Sequence, residues 1–345
     1  MHEPLRIGPL CVWPPVLLAP MSGVTNLAFR LLCRRAGAAL AYTEQLSANA
    51  LVFHNAKTQR MMAHVEAERP IGMQLLGGDP ETMARATELV VAAGADLVDV
   101  NLGCSAPKVV KAGAGAGLLR EPQRVAAIVR GMVRVSPMPV TAKMRAGFSE
   151  DSDYVALARA LEEAGVAAIT VHGRTAQQRF RGQAALDPIA RVKQAVSVPV
   201  IGNGGVVDAQ TARRMFAETG CDAVMVARGA LGRPLVFAQI NHALFGGPAP
   251  PADGVAERIA LLLCHGQMLA ELQGEHTAAR EMRRHAAWYT RGLPNSAALR
   301  RRLFRVVSLA ELADVLLEHG DREGGDCGGE RHAPDNTWGR DDVPA

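Results

Sequence analysis

The first two thirds of the chain contain eight short apolar runs, each of which ends in polar or glycine-rich residues. Continuous runs rich in Val and Ile are typical of strands buried on both faces of a parallel sheet. They predict strands over residues 16–21, 38–45, 71–77, 97–104, 139–147, 168–175, 199–206 and 223–230.

Segments with helical periodicity separate these strands and carry start and stop signals. Three of them begin at an acidic residue followed by proline, at Asp79, Glu121 and Asp187. Asp208 is placed to cap a helix over 209–219. Glycines stand where three helices should end, at Gly94, Gly165 and Gly220. Because this unit repeats eight times, we expect a (β/α)8 TIM barrel of the α/β class over residues 1–245, with a doubly wound sheet as the alternative.

A linker rich in proline and glycine, at residues 246–254, ends the predicted barrel. Helical periodicity then returns over 255–274, 277–291 and 296–319, which predicts a small C-terminal helical domain over residues 255–320. Residues 321–345 are polar and rich in glycine, and we expect them to form a disordered tail.

Composition narrows the class of protein further. Of the 345 residues 48% are apolar, which allows a large core, and only 4% are aromatic, which argues against an aromatic-rich β-sandwich. The six cysteines are scattered and form no CxxC pair, so we expect no structural zinc or other metal, no disulfide scaffold and a reducing, cytoplasmic environment. No apolar stretch reaches the roughly 18 residues of a membrane span, and the N-terminus has no secretory signal, so no membrane association is expected.

The net charge of +4 is unevenly distributed. The tail carries seven acidic and three basic side chains, so the rest of the chain carries about +8. Residues 276–305 contain eight Arg and one Glu, and Arg280, Arg283, Arg284 and Arg291 are spaced so that most share one helix face. Such a segment is either a solvated surface or a site for a polyanion, and the scarcity of carboxylates favours backbone phosphates.

Polar residues at the C-terminal ends of the predicted strands mark the candidate site, because barrels of this kind carry their functional groups there. For any single member, a role in capping a helix or fixing a loop is the alternative. The set consists of Met21, Ser22, Glu44, Gln74, Asn101, Cys104, Lys143, Arg145, His172, Arg174, Asn203 and Arg228.

Turns of small residues follow the last two strands, at 202–205 and 227–229. Barrels often bind phosphate on exposed N–H groups at this place, so we expect a phosphorylated cofactor or substrate; otherwise these are two tight turns. Lys143 ends the fifth strand, where a lysine can form a Schiff base, hold a phosphate or face the pyrimidine edge of a flavin. His172 and Arg174 share one strand face and could grip an anion or a planar polar ring, unless His172 is a structural histidine.

Cys104 follows the fourth strand, and its neighbours Gly103 and Ser105 place it on a loop. A thiol of ordinary pKa is protonated near pH 7, so it can act as an acid as well as a nucleophile. The glycine-rich run at 113–117 does not directly follow a strand and lacks the spacing of a dinucleotide-binding fingerprint. We expect it to be a flexible segment behind the Cys104 loop.

Taken in order, these motifs resemble those of the tRNA-dihydrouridine synthases, most closely the bacterial B-type. The resemblance covers about residues 10–310. The matching segments are LLAPMSGVTNLAFR (17–30), GMQLLGGDP (72–80), DVNLGCSAPKVVKAGAGAGLL (99–119), VTAKMRAGF (140–148), ITVHGRTAQQRFRG (169–182), VIGNGGV (200–206), MVARGALGRP (225–234) and AAREMRRHAAWYTRGLPNS (278–296).

The resemblance implies a flavoprotein oxidoreductase that reduces uridine to 5,6-dihydrouridine in tRNA. NADPH or NADH would reduce FMN, hydride would pass to C6 of the uridine, and Cys104 would protonate C5. The FMN site would comprise Pro20, Met21, Ser22, Gln74, Lys143, His172, Asn203, Gly204, Gly205, Ala227 and Arg228. We assign substrate contacts to Asn101, Lys108, Arg145, Arg174, Arg283 and Arg284. The Arg-rich helical domain would hold the tRNA backbone, and we expect a monomer on the tRNA.

The sequence departs from the family pattern at two positions. The family usually has proline directly after the catalytic cysteine, whereas this chain has Ser105, which predicts a less rigid loop. The phosphate turn usually reads Gly-Arg, and here it reads Ala227-Arg228, where the alanine still offers its N–H.

Two other functions stay open from the sequence. One is an FMN barrel that reduces free pyrimidines, against which the basic helical domain argues, because a small substrate needs no such surface. The other is a catalytically idle RNA-binding protein on the same scaffold. The joint presence of Cys104, Lys143 and His172 argues against that second alternative.

Overall fold

The structure is a computed structural model that describes residues 3–323. Two compact units are distinguished within the chain. Of the described residues, one unit comprises 3–229 and Val236–Pro248, and the other comprises Ala230–Leu235 and 249–323. The predicted disordered tail, 321–345, lies outside the described residues apart from the end of the last helix at Glu323.

The first unit is a closed parallel barrel preceded by an antiparallel hairpin of β1 (Leu5–Ile7) and β2 (Leu10–Val12). The parallel strands are β3 (Val16–Leu18), β4 (Ala41–Tyr42), β5 (Leu46–Ser47), β6 (Ile71–Leu76), β7 (Leu97–Leu102), β8 (Val140–Arg145), β9 (Ala168–His172), β10 (Val200–Asn203) and β11 (Ala223–Val226). They pair in the order β3-β11-β10-β9-β8-β7-β6-β4, with β5 beside the end of β6. A parallel bridge between Leu17 and Leu40 closes the circle. The eight predicted strands and the TIM barrel are thereby confirmed.

Helices alternate with these strands. They are α1 (Leu27–Arg35), α2 (Ala48–Val52), α3 (Ala56–Arg60), α4 (Pro80–Ala92), α5 (Pro107–Lys111), α6 (Pro122–Val135), α7 (Tyr154–Glu163), α8 (Asp187–Ala195), α9 (Ala209–Thr219) and α10 (Val236–Phe245). Asp79 caps α4 by accepting from the Thr82 N–H at 2.8 Å, and Asp208 caps α9 by accepting from the Thr211 N–H at 2.8 Å. Gly220 ends α9 in the left-handed conformation, as the sequence predicts.

The barrel interior is layered because inward and outward side chains alternate along each strand. The lowest layer is apolar and is shared by strand and hairpin residues, namely Leu97, Ala168, Ala223, Leu5 and Ile7. The hairpin thus closes the N-terminal end of the barrel. One step higher, Asp99 and Thr141 face each other across β7 and β8, and Thr141 Oγ1 donates to Asp99 Oδ1 at 2.6 Å. The side chains inside the barrel therefore change from apolar to polar at this middle layer.

The second unit contains α11 (Val255–Gln273), α12 (Glu275–Tyr289), α13 (Ser296–Leu303) and α14 (Leu309–Glu323). The prediction of one continuous helix over 296–319 is wrong, because the chain breaks between α13 and α14. Ser308 caps α14 by accepting from the Glu311 N–H at 3.1 Å. Arg283 Nε donates to the Val306 carbonyl at 2.8 Å, and this bond fixes the segment between α13 and α14 to α12. None of the described helices is long and apolar enough to cross a membrane.

A pair of buried histidines lies between α11 and α12. The rings of His265 and His285 are both fully buried, and their centroids are 4.4 Å apart in an edge-to-face arrangement. Burial lowers the pKa of His265 well below its usual value, and His285 lowers it further. Burial also lowers the pKa of His285 to about 3, with the Arg284 charge adding to the effect. Both rings therefore stay neutral in the folded protein at physiological pH.

This pair predicts that the helical unit loses stability in mild acid. Below a pH of about 6.5 the unfolded chain takes up protons that the folded pair does not, so the free energy of unfolding falls as the pH drops. Between pH 7 and pH 5 we expect a loss of about 2 kcal/mol for each histidine. Urea unfolding of the full chain at the two pH values, followed by circular dichroism and tryptophan fluorescence, measures the difference.

The variant His265→Leu should remove the contribution of one histidine, about 2 kcal/mol, from the pH dependence of the full chain, to which buried His172 and Asp99 also contribute. Exposed His276, on the same helix as His285, gives the matched control His276→Gln, which should keep the pH dependence of the parent protein. An unchanged pH dependence in His265→Leu would contradict the prediction.

Candidate active site

A cavity of about 580 Å³ opens at the C-terminal ends of the barrel strands. Twelve residues predicted from the sequence line it together: Pro20, Met21, Ser22, Gln74, Asn101, Cys104, Lys143, Arg145, His172, Asn203, Ala227 and Arg228. Sequence reasoning missed the other lining residues, which are Ala19, Gln45, Gly103, Ser105, Ala106, Pro107, Arg179 and Phe180. Closure of the barrel explains the convergence, because parallel strands carry their C-terminal ends to one rim.

The wall of this cavity is cationic. It contains Lys143, Arg145, Arg179 and Arg228, and no carboxylate is among its lining residues. A one-signed wall in a low-dielectric cleft concentrates anions. Within residues 3–323, no group of three or more His, Cys, Asp or Glu side chains comes together in a way that could hold a metal ion. The cationic wall favours an anionic ligand.

A chain of buried hydrogen bonds supports the cavity floor. Gln74 Nε2 donates to Asp99 Oδ2 at 2.7 Å, and Asn101 Nδ2 donates to Gln74 Oε1 at 2.7 Å. Burial raises the pKa of Asp99 to about 6, although the hydrogen bonds from Gln74 and Thr141 oppose the shift. Sequence reasoning missed Asp99. The available signal was an acid two residues before Asn101 in an apolar strand, since residues two apart share a strand face.

The loop that carries Cys104 is held from two sides. Asn101 Oδ1 accepts from the N–H of Gly103 at 3.0 Å and from that of Cys104 at 2.9 Å. The Cys104 carbonyl accepts from the Ala116 N–H at 3.0 Å. Gly115 packs so closely that a Cβ there would lie 2.7 Å from this carbonyl.

The expectation that residues 113–117 form a flexible segment is therefore wrong. Residues Gly115–Arg120 form a 3-10 helix whose first five residues are buried. Its glycines are needed for close packing behind the Cys104 loop, which is the physical reason for the run of small residues.

Lys143 lies inside the barrel mouth, and its Nζ donates to Asn203 Oδ1 at 2.9 Å. Asn203 in turn donates through Nδ2 to the Met225 carbonyl at 2.7 Å. These two bonds join strands β8, β10 and β11. Burial lowers the pKa of Lys143 to about 8, Arg145 lowers it further and Asp99 opposes the shift. The ammonium group therefore keeps most of its charge near pH 7.

His172 faces the cavity as a neutral ring. Burial lowers its pKa to about 2, and the nearby cations Lys143, Arg145, Arg174 and Arg228 lower it further. The Arg174 backbone N–H donates to His172 Nδ1 at 3.1 Å. With Nδ1 an acceptor, the ring proton is on Nε2, so His172 can donate a hydrogen bond into the cavity.

Arg145 joins two loops of the cavity wall. Its Nε donates to the Gly103 carbonyl at 2.7 Å, and its Nη1 donates to the carbonyls of Thr175 at 3.1 Å and Arg179 at 2.9 Å. Burial lowers the pKa of Arg145 to about 10, with Arg174 adding to the shift, so the guanidinium stays charged at neutral pH. Its partners are neutral carbonyls, and its charge therefore adds to the field in the cavity.

Seven predicted site residues do not line the cavity, among them Glu44, whose Oε2 accepts from the Gly23 N–H. Arg174 is 5% exposed and donates to the carbonyls of Arg181 and Gly182. Exposed Lys108 lies on α5. Arg283 holds the Val306 carbonyl, and the guanidinium carbon of Arg284 lies 5.9 Å from the Trp288 ring centroid, both in the helical unit. Gly204 and Gly205 belong to the turn that continues from Asn203 beyond the lining residues.

The two small-residue turns predicted to bind phosphate lie against each other. Gly204 and Gly205 have φ values of 121° and 79°, a backbone conformation that favours glycine. A Cβ on Gly229 would lie 2.5 Å from the Val206 carbonyl, so the turn after β11 packs directly on the turn after β10. A Cβ added at Gly205 would have no neighbouring atom within 4 Å, so there is open space on this side of the turn. These two packed turns, 202–205 and 227–229, form a cradle that includes Arg228 and is open at Gly205.

Comparison with known proteins agrees with this geometry. The family model described as "Dihydrouridine synthase (Dus)" matches residues 17–322. A "Probable tRNA-dihydrouridine synthase" of Mycobacterium tuberculosis (strain ATCC 25618 / H37Rv) is 41% identical over 92% of this chain and 85% of its own length. The "Probable tRNA-dihydrouridine synthase 1" of Synechocystis is 40% identical over 91% of this chain and 88% of its own. The "tRNA-dihydrouridine synthase B" of Pseudomonas aeruginosa is 37% identical over 94% of this chain and 98% of its own. These matches, each over most of the chain, show that the protein is an enzyme of the dihydrouridine synthase family.

Proposed function

We propose that this enzyme reduces uridine to 5,6-dihydrouridine in tRNA, with bound FMN, NADPH (or NADH) as reductant and Cys104 as proton donor. The observation that carries the proposal is the meeting of Cys104, neutral His172 and a cationic wall around one cavity. The family match and the tRNA-modifying relatives support it. A cytoplasmic location follows from the proposed tRNA substrate.

The residues present fit FMN. The cradle at 202–205 and 227–229 suits a phosphate, since a Cβ at Gly205 would meet nothing within 4 Å and Arg228 supplies a positive charge. Protonated Lys143 and the amide of Gln74 suit the polar edge of a flavin ring, and the apolar side chains of Pro20 and Met21 suit its face. When bound, FMN supplies two-electron chemistry, taking hydride from the nicotinamide and giving it to a carbon of the substrate.

This chain's own side chains would handle the base and the proton. Cys104 would donate its Sγ proton to C5 of the uracil as C6 receives hydride. His172, with its proton on Nε2, would donate a hydrogen bond to a carbonyl oxygen of a ring. Asn101 would place the base, because its own amide is fixed by Gln74. The target uridine must leave its stack to enter such a cavity.

The helical unit would hold the tRNA backbone. Arg280, Arg291, Arg301 and Arg305 are exposed there, and in the described part of the chain none of them pairs with a carboxylate. Arg283 is a poor reporter of such an interaction, because it already binds the Val306 carbonyl inside the unit. Exposed guanidinium groups without acidic partners suit a phosphate backbone.

Replacing Cys104 with Ala should slow uridine reduction by about 10²–10⁴-fold, the usual contribution of a general acid. Flavin content and the reduction of flavin by NADPH should not change, since neither needs this proton. Anaerobic stopped-flow measurements separate the steps: flavin bleaching by NADPH first, then reoxidation by tRNA. The control Cys11→Ala removes an exposed thiol elsewhere and should behave as the parent. Normal reoxidation in Cys104→Ala would show that another group supplies the proton.

Replacing Arg228 with Ala should weaken FMN binding by about 10- to 100-fold, because the variant lacks a charge-assisted hydrogen bond to the phosphate. Riboflavin has no phosphate, so its affinity should not change. Fluorescence titration of flavin-free protein with each flavin measures both affinities. Exposed Arg181 does not line the cavity, and Arg181→Ala gives the matched control. An equal loss for riboflavin would argue that Arg228 supports the fold of the site and not the phosphate.

The double variant Arg280→Ala/Arg291→Ala should weaken tRNA binding with unchanged flavin content. For each phosphate that an arginine no longer neutralises, the plot of log affinity against log salt should become shallower by about 0.7–0.9. Filter binding at several salt concentrations measures this slope. Arg191→Ala, which removes an exposed arginine paired with Asp187 on the barrel, is the control. An unchanged slope in the double variant would identify the segment as a solvated surface.

A further inference from the structure

The rim of the cavity carries an aromatic side chain that the proposed chemistry does not use. Phe180 is 62% exposed, although it lines the same cavity as Cys104. Among the residues that line the cavity, Phe180 is the one Phe, Tyr or Trp. The neighbouring sequence is Arg179-Phe180-Arg181, which places a positive charge on each side of the ring in the chain.

The backbone on both sides of this ring is fixed. The Arg179 carbonyl accepts from Arg145 Nη1 at 2.9 Å, and the Arg181 carbonyl accepts from Arg174 Nε at 3.2 Å. Residues Thr175 and Gln178 close the loop, because the Thr175 N–H donates to Gln178 Oε1 at 2.8 Å and the Gln178 N–H donates to Thr175 Oγ1 at 3.2 Å. Two buried arginines therefore hold the loop so that its apolar ring stays at the rim.

The ring is also surrounded by positive charge. The guanidinium carbons of Arg228 and Arg145 lie 4.9 Å and 5.7 Å from its centroid. A flat apolar ring on a cationic groove is the combination with which proteins hold single-stranded nucleic acid, because the cations follow the backbone and the ring stacks on a base. Such stacking contributes about 5- to 150-fold in affinity, against about two- to five-fold for an exposed cation over a ring. A base can therefore displace Arg228 from the ring.

We propose that Phe180 is a stacking platform for the nucleobase next to the uridine that is reduced. The inference rests on the proposed function. The target base has to reach Cys104 inside the cavity, whereas Phe180 is at the exposed rim, so its ring meets a base that stays outside. Extrusion of the target removes one stacking partner from that neighbouring base, and the phenyl ring replaces it. Phe180 thus adds to the affinity for tRNA through the flanking base, whatever that base is, and takes no part in the chemical step.

The test compares Phe180→Leu, which keeps an apolar side chain but removes the ring, with Phe180→Trp, which keeps a ring. The substrate is a tRNA transcript in which the reduced uridine has been mapped. Phe180→Leu should raise the KM for tRNA by about 5- to 100-fold with kcat and flavin content unchanged, and Phe180→Trp should restore the KM. Phe53 is 81% exposed and does not line the cavity, so Phe53→Leu is the matched control and should keep the parent KM.

A second measurement identifies on which side of the target uridine the stacked base lies. Transcripts with an abasic nucleotide on one side or the other of the target uridine should bind the parent enzyme more weakly at one of the two positions. At that position the abasic change should have no further effect in Phe180→Leu, as a double-mutant cycle requires for two groups that touch each other.

Three results would overturn the inference. The first is an unchanged KM in Phe180→Leu. The second is a loss of flavin from that variant, which would place the ring against the cofactor, and the third is additive effects of the abasic nucleotide and Phe180→Leu. Failure of the proposed function has a different signature, because the parent enzyme would then reduce no uridine in the transcript.

Discussion

Closure of the parallel sheet is the constraint on which the rest of the first unit depends. The pairing of β3 with β11 and the bridge between Leu17 and Leu40 leave no open edge in the ring. Every second side chain then has to point inward, where neighbouring strands bring residues of similar height together. The height along a strand therefore sets the chemistry: Leu97 lies in the apolar floor, Asp99 in the polar middle and Asn101 at the mouth.

Closure of the barrel also places the buried charge of Arg145 at the cavity mouth, among backbone carbonyls of neighbouring loops. Arg145 is 5% exposed and satisfies its donors on the carbonyls of Gly103, Thr175 and Arg179. Carbonyls meet the hydrogen-bonding needs of a guanidinium without cancelling its charge. One side chain thus fixes the Cys104 loop, fixes the loop that carries Phe180 and adds to the positive field that would attract a polyanion.

The departure at Ser105 has a structural compensation. A proline after the cysteine would restrict the loop through its ring, and serine does not. The loop is instead fixed by hydrogen bonds, because Asn101 accepts from Gly103 and Cys104, and the Cys104 carbonyl accepts from Ala116. These bonds belong to segments before and after the cysteine, so the absence of the ring at position 105 leaves the position of the loop determined.

The sequence by itself determined the architecture, since strand periodicity and helix caps such as Asp79 and Asp208 are local signals. It also identified most of the cavity lining, because polar residues at strand ends converge in any barrel. Only the tertiary structure decided which partner each side chain binds. The sequence does not distinguish an arginine that binds a phosphate from one that binds a backbone carbonyl. Arg145 is an example, since it binds the carbonyl of Thr175, which is 30 residues away in the chain. The break between α13 and α14 could not be predicted from the sequence for the same reason. The hydrogen bond that holds the segment between these helices runs from Arg283 to the Val306 carbonyl, and the two residues are 23 positions apart.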